Sequence, residues 1–283
     1  MDVLIKGTGD GLNFLAVDST EVVRTAQKLD NLSITASVAL GRLLTAGLLL
    51  GSQMKNARNK LTLRINGDGP LGNITVVATQ DGKVKGTISN AQQEVMTTTG
   101  KGFDIPRAIG KGLLTLVRDE GLKVPYQGQV ELQTSQIAQD IAYLLQQSEQ
   151  IASVVVLGVL INQKAEILQA GGFIVQLTPG ATESVIAQLE EKMRKFPNFT
   201  DLMDMGYSID EIIERFVVEA PQILAEIPVF YECDCNQERF KNGIKLLQKK
   251  EIEEILEEKG KIKATCSFCG KIYEFGKEDL GML

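Results

Sequence analysis

The runs Tyr231-Glu232-Cys233-Asp234-Cys235-Asn236 and Thr265-Cys266-Ser267-Phe268-Cys269-Gly270 hold all four cysteines of the chain, as two close pairs separated by thirty residues. Two such pairs on separate turns can bring four thiolates into one tetrahedral shell, the arrangement that structural zinc prefers. The chain has no histidine. The complete soft-ligand set is therefore Cys233, Cys235, Cys266 and Cys269, and it predicts one zinc per chain. Gly270 follows the second pair, where a tight knuckle needs a permissive backbone. Residues 227–283 carry six of the fifteen aromatic side chains, against five in residues 1–179. A segment of that length buries too little apolar surface to be secure alone and commonly needs a metal or disulfides. The pattern predicts a small zinc-binding domain over residues 227–283. A disulfide framework is the alternative, and the absence of a secretory pattern at the start favours a reducing compartment and a metal. A zinc clamp that only holds its own fold and an oxidisable cluster of thiolates both remain open readings. Oxidation through sulfenic acid to disulfides would remove the ligands and, with them, the energy that folds the module.

Outward from this module the chain changes character twice. Residues 180–226 hold 4 basic and 10 acidic side chains, whereas residues 1–179 hold 16 and 15 and residues 227–283 hold 10 and 11. The formal charge of −6 thus resides in the middle segment. There Val185, Ile186, Leu189, Met193 and Phe196 recur at helical spacing, as do Ile209, Ile212, Ile213, Phe216 and Val217, each set opposite an acidic face. The spacing predicts an amphipathic helical linker over 180–226, interrupted at Met205-Gly206 and Ala220-Pro221. Its stripes either pack firmly on the main domain or form a releasable cover.

Residues 1–179 mix strand-like and helix-like stretches without the regular rhythm of a doubly wound sheet, which predicts an α+β domain with antiparallel sheets. Thr75–Thr79 and Lys83–Ile88 flank Asp81-Gly82, a hairpin signal. Ser153–Ile161 and Ala165–Leu177 bracket Asn162-Gln163-Lys164 and should also pair antiparallel. Helices are expected at Ser19–Leu29, Ser33–Leu50 and Ser135–Gln147, each opened by a capping serine. The apolar stretch Leu32–Gly51 approaches the length of a bilayer span, but Arg42 at its middle marks it as a buried helix.

Several functions are disfavoured. Without histidine there is no Ser-His-Asp or Cys-His machinery, and no paired carboxylates stand out, so no enzyme activity and no catalytic residue are assigned. Gly7-Thr8-Gly9-Asp10-Gly11 and Gly67-Asp68-Gly69-Pro70-Leu71-Gly72 lack nucleotide-binding spacing and read as turns. No basic stripe tracks phosphates, so nucleic acid is not an expected partner, and a membrane is not either.

Gly67-Asp68-Gly69-Pro70, the run from Gly110-Lys111-Gly112 to Pro125-Tyr126-Gln127-Gly128, Gln146-Gln147-Ser148-Glu149-Gln150, Gly171-Gly172 and the two cysteine pairs together resemble the thirty-three-kilodalton heat-shock protein family. Cys233 to Phe240 and Cys266 to Tyr273 follow its pattern closely, and the likeness spans nearly the whole chain. The resemblance implies a redox-regulated, ATP-independent holdase of the bacterial cytoplasm. It implies an inactive reduced form holding zinc on the four cysteines, and disulfides Cys233–Cys235 and Cys266–Cys269 with zinc release under oxidative stress. It further implies unfolding of the linker, binding of unfolding client proteins, and a homodimer in the active state. A zinc-ribbon regulatory or nucleic-acid-associated protein and a dithiol oxidoreductase are the competing readings, against which the missing basic patch and the missing thioredoxin-like setting count.

Overall fold

Near-continuous apolar runs, whose successive side chains face opposite ways, build the first sheet. In the computed structural model, which describes residues 2–99 and 102–281, strands β1 (Val3–Gly9) and β2 (Leu12–Asp18) form a hairpin across Asp10-Gly11. Helices α1 (Thr20–Asp30) and α2 (Ile34–Gly51) follow. A second sheet is laid down by β3 (Lys60–Gly67), β4 (Asn73–Thr79), β5 (Lys83–Ile88), the short helix α3 (Ile105–Ile109), β6 (Gly112–Asp119) and β7 (Tyr126–Glu131). Helix α4 (Ala138–Glu149) returns the chain to the first sheet through β8 (Ser153–Ile161) and β9 (Ile167–Leu177). Three helices come next, α5 (Glu183–Arg194), α6 (Phe199–Asp204) and α7 (Ile209–Phe216), and then strands β10 (Gln222–Pro228) and β11 (Phe230–Tyr231). The chain ends with α8 (Gln237–Ile244), α9 (Lys249–Lys259), β12 (Ile262–Thr265), β13 (Ile272–Phe275) and α10 (Lys277–Leu280). It divides into two compact units, one closing at Tyr231 and the other starting at Glu232.

The fold is α+β with antiparallel sheets, as the sequence predicts. The first sheet runs β10-β1-β2-β9-β8 and the second β11-β5-β4-β3-β6-β7, antiparallel throughout except for the short β11–β5 pairing. Both hairpins legible in the sequence form, β4 with β5 and β8 with β9. Gly82 sits at φ +83° in the first of these turns, a left-handed conformation that glycine adopts without a Cβ clash.

Helix α2 is apolar on all sides because it lies between sheets, against β3, β4 and β5 of one and β2, β8 and β9 of the other. It alone among the described helices is long and apolar enough to cross a bilayer, and it is a core helix.

The first sheet is apolar on both faces, and its pleat sorts the residues. Leu4, Leu15, Val17 and Ile174 point into the core around α2. Their alternates Ile5, Phe14, Ala16, Phe173 and Val175 point the other way, into a separate cluster with Leu189, Phe199, Leu202, Met203, Ile209, Ile212, Ile213 and Val217. Helices α5, α6 and α7 are thus the cover of one sheet face. Phe173 lies edge-on to Phe196 at 5.3 Å and tilted to Phe199 at 5.8 Å.

Two sequence expectations change. Of the three serine caps only Ser33 forms, its Oγ accepting from the Ala36 N–H at 3.1 Å. At α1 the Val22 N–H goes to Asp2 Oδ2 at 2.9 Å instead. Helix α4 starts at Ala138 rather than Ser135, whose hydroxyl donates to the Gly110 carbonyl. Asp140 accepts from the N–H groups of Gln133, Thr134 and Ile137 in its place, since one carboxylate serves several orphan donors where a hydroxyl serves one. The helices of the middle segment end at Phe216, and Gln222–Tyr231 are strands on the edges of both sheets. Residues 222–226 are exposed on both faces and carry no alternation, and the inward alternation of Ile227, Val229 and Tyr231 is too short to mark a strand.

Candidate metal and redox centre

Within the second unit a knuckle and a hairpin carry the cysteines. Cys233 and Cys235 precede α8, whose Asn236 caps it by accepting from the Arg239 N–H at 2.9 Å. Cys266 to Cys269 form the turn between β12 and β13. There the Gly270 N–H donates to the Cys266 carbonyl at 2.9 Å, and Gly270 takes φ +69°. The seven buried side chains Ile244, Ile252, Leu256, Ile262, Tyr273, Phe275 and Leu280 form the module's core.

All four sulfurs lie within 4.8 Å of one another. Cys233 Sγ is 3.7 Å from Cys266 Sγ, and Cys235 Sγ is 3.5 Å from Cys269 Sγ. A zinc–sulfur bond of about 2.3 Å places sulfurs at the corners of a tetrahedron about 3.8 Å apart. The spacing fits such an ion. All four cysteines are free thiols, and Cys266 is buried at 4% exposure.

The electrostatics argue the same way. Burial, reinforced by the neighbouring thiols, pushes the Cys233 thiol up to about 12. At Cys235 burial also opposes ionisation, but hydrogen bonds from Tyr273 and the other three sulfurs outweigh it and bring the thiol down to about 7. Cys269 is held above its usual value, first by burial. Burial thus works against ionising Cys233 and Cys269, and like charges at these distances repel. Four thiolates together require a cation among them.

One contributor escaped the sequence reading. Tyr273 Oη, from β13, donates to the Cys235 carbonyl at 3.0 Å and lies 3.2 Å from Cys235 Sγ. Its ring stacks on Phe240 from α8 at 4.9 Å. Both residues belong to the quoted cysteine motifs, and the concentration of aromatics in this segment was the available signal.

The family model described as "Hsp33 protein" matches residues 2–276. The chain is 42% identical over 283 residues to the 33 kDa chaperonin of Caldanaerobacter subterraneus subsp. tengcongensis, covering 99% of this chain and 96% of that one. It is 39% identical to the 33 kDa chaperonin of Bacillus subtilis, with 99% and 97% covered. Among solved structures, the 33 kDa chaperonin (heat shock protein 33 homolog) of Thermotoga maritima superposes with a TM-score of 0.89 at 32% identity, covering 99% of this chain and 96% of that one.

Proposed function

Because the chain belongs to the Hsp33 family and is, on that footing, a chaperone, we propose that it is an ATP-independent holdase of the cytoplasm, switched on by oxidation of its four-cysteine centre. The observation that carries this reading is the collection of every cysteine of the chain into one four-sulfur shell. Cys233, Cys235, Cys266 and Cys269 hold zinc in the reduced protein. Bound there, zinc keeps the sulfurs as thiolates and contributes about 10–16 kcal/mol to a module with a very small core of its own.

Peroxide oxidises the pairs Cys233–Cys235 and Cys266–Cys269. For each pair, two thiolates give two electrons to one peroxide, one sulfur–sulfur bond forms, the oxygen–oxygen bond breaks, and the two oxygens leave as waters after taking two protons from solvent. A disulfide sulfur is a poor metal ligand, so the ion departs and the module unfolds.

The middle segment supplies the client site. Helices α5, α6 and α7 hide Ile5, Phe14, Ala16, Phe173 and Val175 of the first sheet, and their outward faces carry the chain's excess acidic charge. Short helices under mutual repulsion depend on tertiary packing for their stability. Loss of the folded module releases them, baring the sheet face and the stripes for unfolding proteins. The active form is a homodimer. Neither nucleic acid nor a membrane is a partner, and no catalytic residue is involved.

The test pairs two measurements on the full chain. Zinc content before and after peroxide should fall from one per chain to none, and only the oxidised sample should suppress light scattering by a thermally unfolding protein. Equal suppression by reduced and oxidised protein would sink the switch, and full zinc retention after oxidation would sink the release step.

A further inference from the structure

We propose that Tyr273 is a positioning residue for the four-sulfur centre, its hydroxyl hydrogen-bonding the Cys235 sulfur and tying the first cysteine pair to the hairpin that carries the second. The inference rests on the metal-site reading above. The two residues are 38 positions apart, and Tyr273 Oη reaches both the carbonyl at 3.0 Å and Sγ of Cys235 at 3.2 Å. A metal-bound thiolate has no proton to give, so in the loaded centre the phenol is the donor and shares its hydrogen between carbonyl and sulfur.

The ring is held in place for this task. It is buried at 8% exposure, Phe240 stacks on it with an interplanar angle of 28°, and the Lys271 ammonium lies 5.2 Å from its centroid. Since Phe240 belongs to the helix that follows the first pair and Tyr273 to the strand that follows the second, the stack and the hydroxyl join the same two halves. Their roles are separable. The stack supplies buried area, whereas the hydroxyl alone acts on the electrons of the sulfur. A hydrogen bond to a ligating thiolate withdraws electron density from it and fixes its lone-pair direction, and outer partners of this kind contribute about 10–100-fold to metal affinity.

The test uses the full chain with Tyr273→Phe, which keeps the ring, its burial and the stack, beside Phe240→Leu, which keeps the hydroxyl. Both are loaded with cobalt(II) as a spectroscopic stand-in, and zinc affinity is measured against a competing chelator. Tyr273→Phe should move the thiolate-to-cobalt charge-transfer band to lower energy while the visible bands stay tetrahedral, and should weaken zinc about 10–100-fold. Phe240→Leu should leave the band in place. A Tyr273→Phe band that superimposes on wild type with unchanged zinc affinity overturns the proposal, as does an equal band shift in Phe240→Leu. A wild-type chain that takes up neither metal overturns the metal-site reading itself.

Discussion

The two units spend their sequence on stability in opposite ways. The first stacks two sheets about α2 and buries aliphatic residues on both faces of β1, β2 and β9. The second has, among its described residues, a core cluster of seven buried side chains beside its four thiols. Hydrophobic burial is spread over many residues and no single chemical event removes it, whereas a metal shell concentrates folding energy in four atoms that an oxidant can alter. Helices α5 to α7 fall between these extremes: they belong to the first unit but contribute only one face of a small cluster. A switch needs such a gradient, with a chemically fragile trigger, a moderately held cover and a core that ignores both.

The comparison breaks most visibly if the metal does not matter. Cys233→Ser with Cys235→Ser removes half the shell, and the loss of about 10–16 kcal/mol should leave the second unit unfolded in zinc-replete buffer. Hydrogen exchange should then show no protection after Glu232 while α2 and its flanking strands keep theirs. Retained protection of β12 and β13 in that variant would mean that the small core suffices alone.

The cover comes next in size. Ile212 is fully buried and Phe216 packs beside it, so Ile212→Ser with Phe216→Ser should cost about 3–5 kcal/mol of local stability and loosen α7 with all four cysteines intact. The reduced, zinc-loaded variant should already suppress aggregation of a client to some extent. If residues 183–216 lose protection yet aggregation proceeds until oxidant is added, the gate lies in the metal module and not in the cover.

How much of this was legible follows from where each signal lives. Periodicity exposed the β4–β5 and β8–β9 hairpins, α2 and the stripes of α5 and α7, because each buries one side or all of itself. The cysteine spacing exposed the centre, since two close pairs in a chain without histidine leave few alternatives. Strand β10 carries little signal because it is exposed on both faces over most of its length, β11 is only two residues long, and their partners, β1 and β5, are more than a hundred residues away. The serine caps fail at α1 because Asp2 reaches its start from twenty residues away, and at α4 because Asp140 caps it from within its own first turn. Tyr273 carries no separate signal in the sequence, since only the fold brings its hydroxyl to Cys235.

Asp2 offers a finer probe of the first unit. It is buried at 4% exposure, and burial, with help from Asp18 and Glu21, raises its carboxyl from 3.8 to about 6 against the lowering effect of the Val22 and Glu21 backbone N–H groups. The folded chain therefore binds the Asp2 proton more tightly than the unfolded chain. The stability this contributes is complete below about pH 3.8 and is lost as pH rises through about 6. Asp2→Asn keeps an acceptor for Val22 and cannot ionise, so its unfolding free energy should gain on wild type across that window, by an amount on the order of 2 kcal/mol. Parallel pH profiles would show that Asp2 ionises freely in the fold.

The smallest effect is expected at Arg42, and it tests whether the core of the first unit is apolar by necessity or merely by majority. Arg42 interrupts the apolar run of α2, and burial lowers its pKa below the ordinary guanidinium value. Among the described residues it is poorly satisfied. Nη1 makes a long 3.4 Å hydrogen bond to Gln136 Oε1, and the buried Nε has no partner. A half-buried cation whose Nε is closed off from water and unpaired costs desolvation free energy that an apolar side chain of similar length does not. Arg42 also lines an open pocket with Thr134, Gln136 and Gln139, so methionine can follow the same path along Val155 and Leu157 without overfilling the site. Arg42→Met should therefore be neutral or stabilising by about 1 kcal/mol in denaturant unfolding of the first unit, with zinc content and oxidant response unchanged. A loss of more than about 1.5 kcal/mol would mean that the guanidinium is paid for by interactions that the resting geometry understates, and that α2 is held in register by its one charge as well as by its apolar surface.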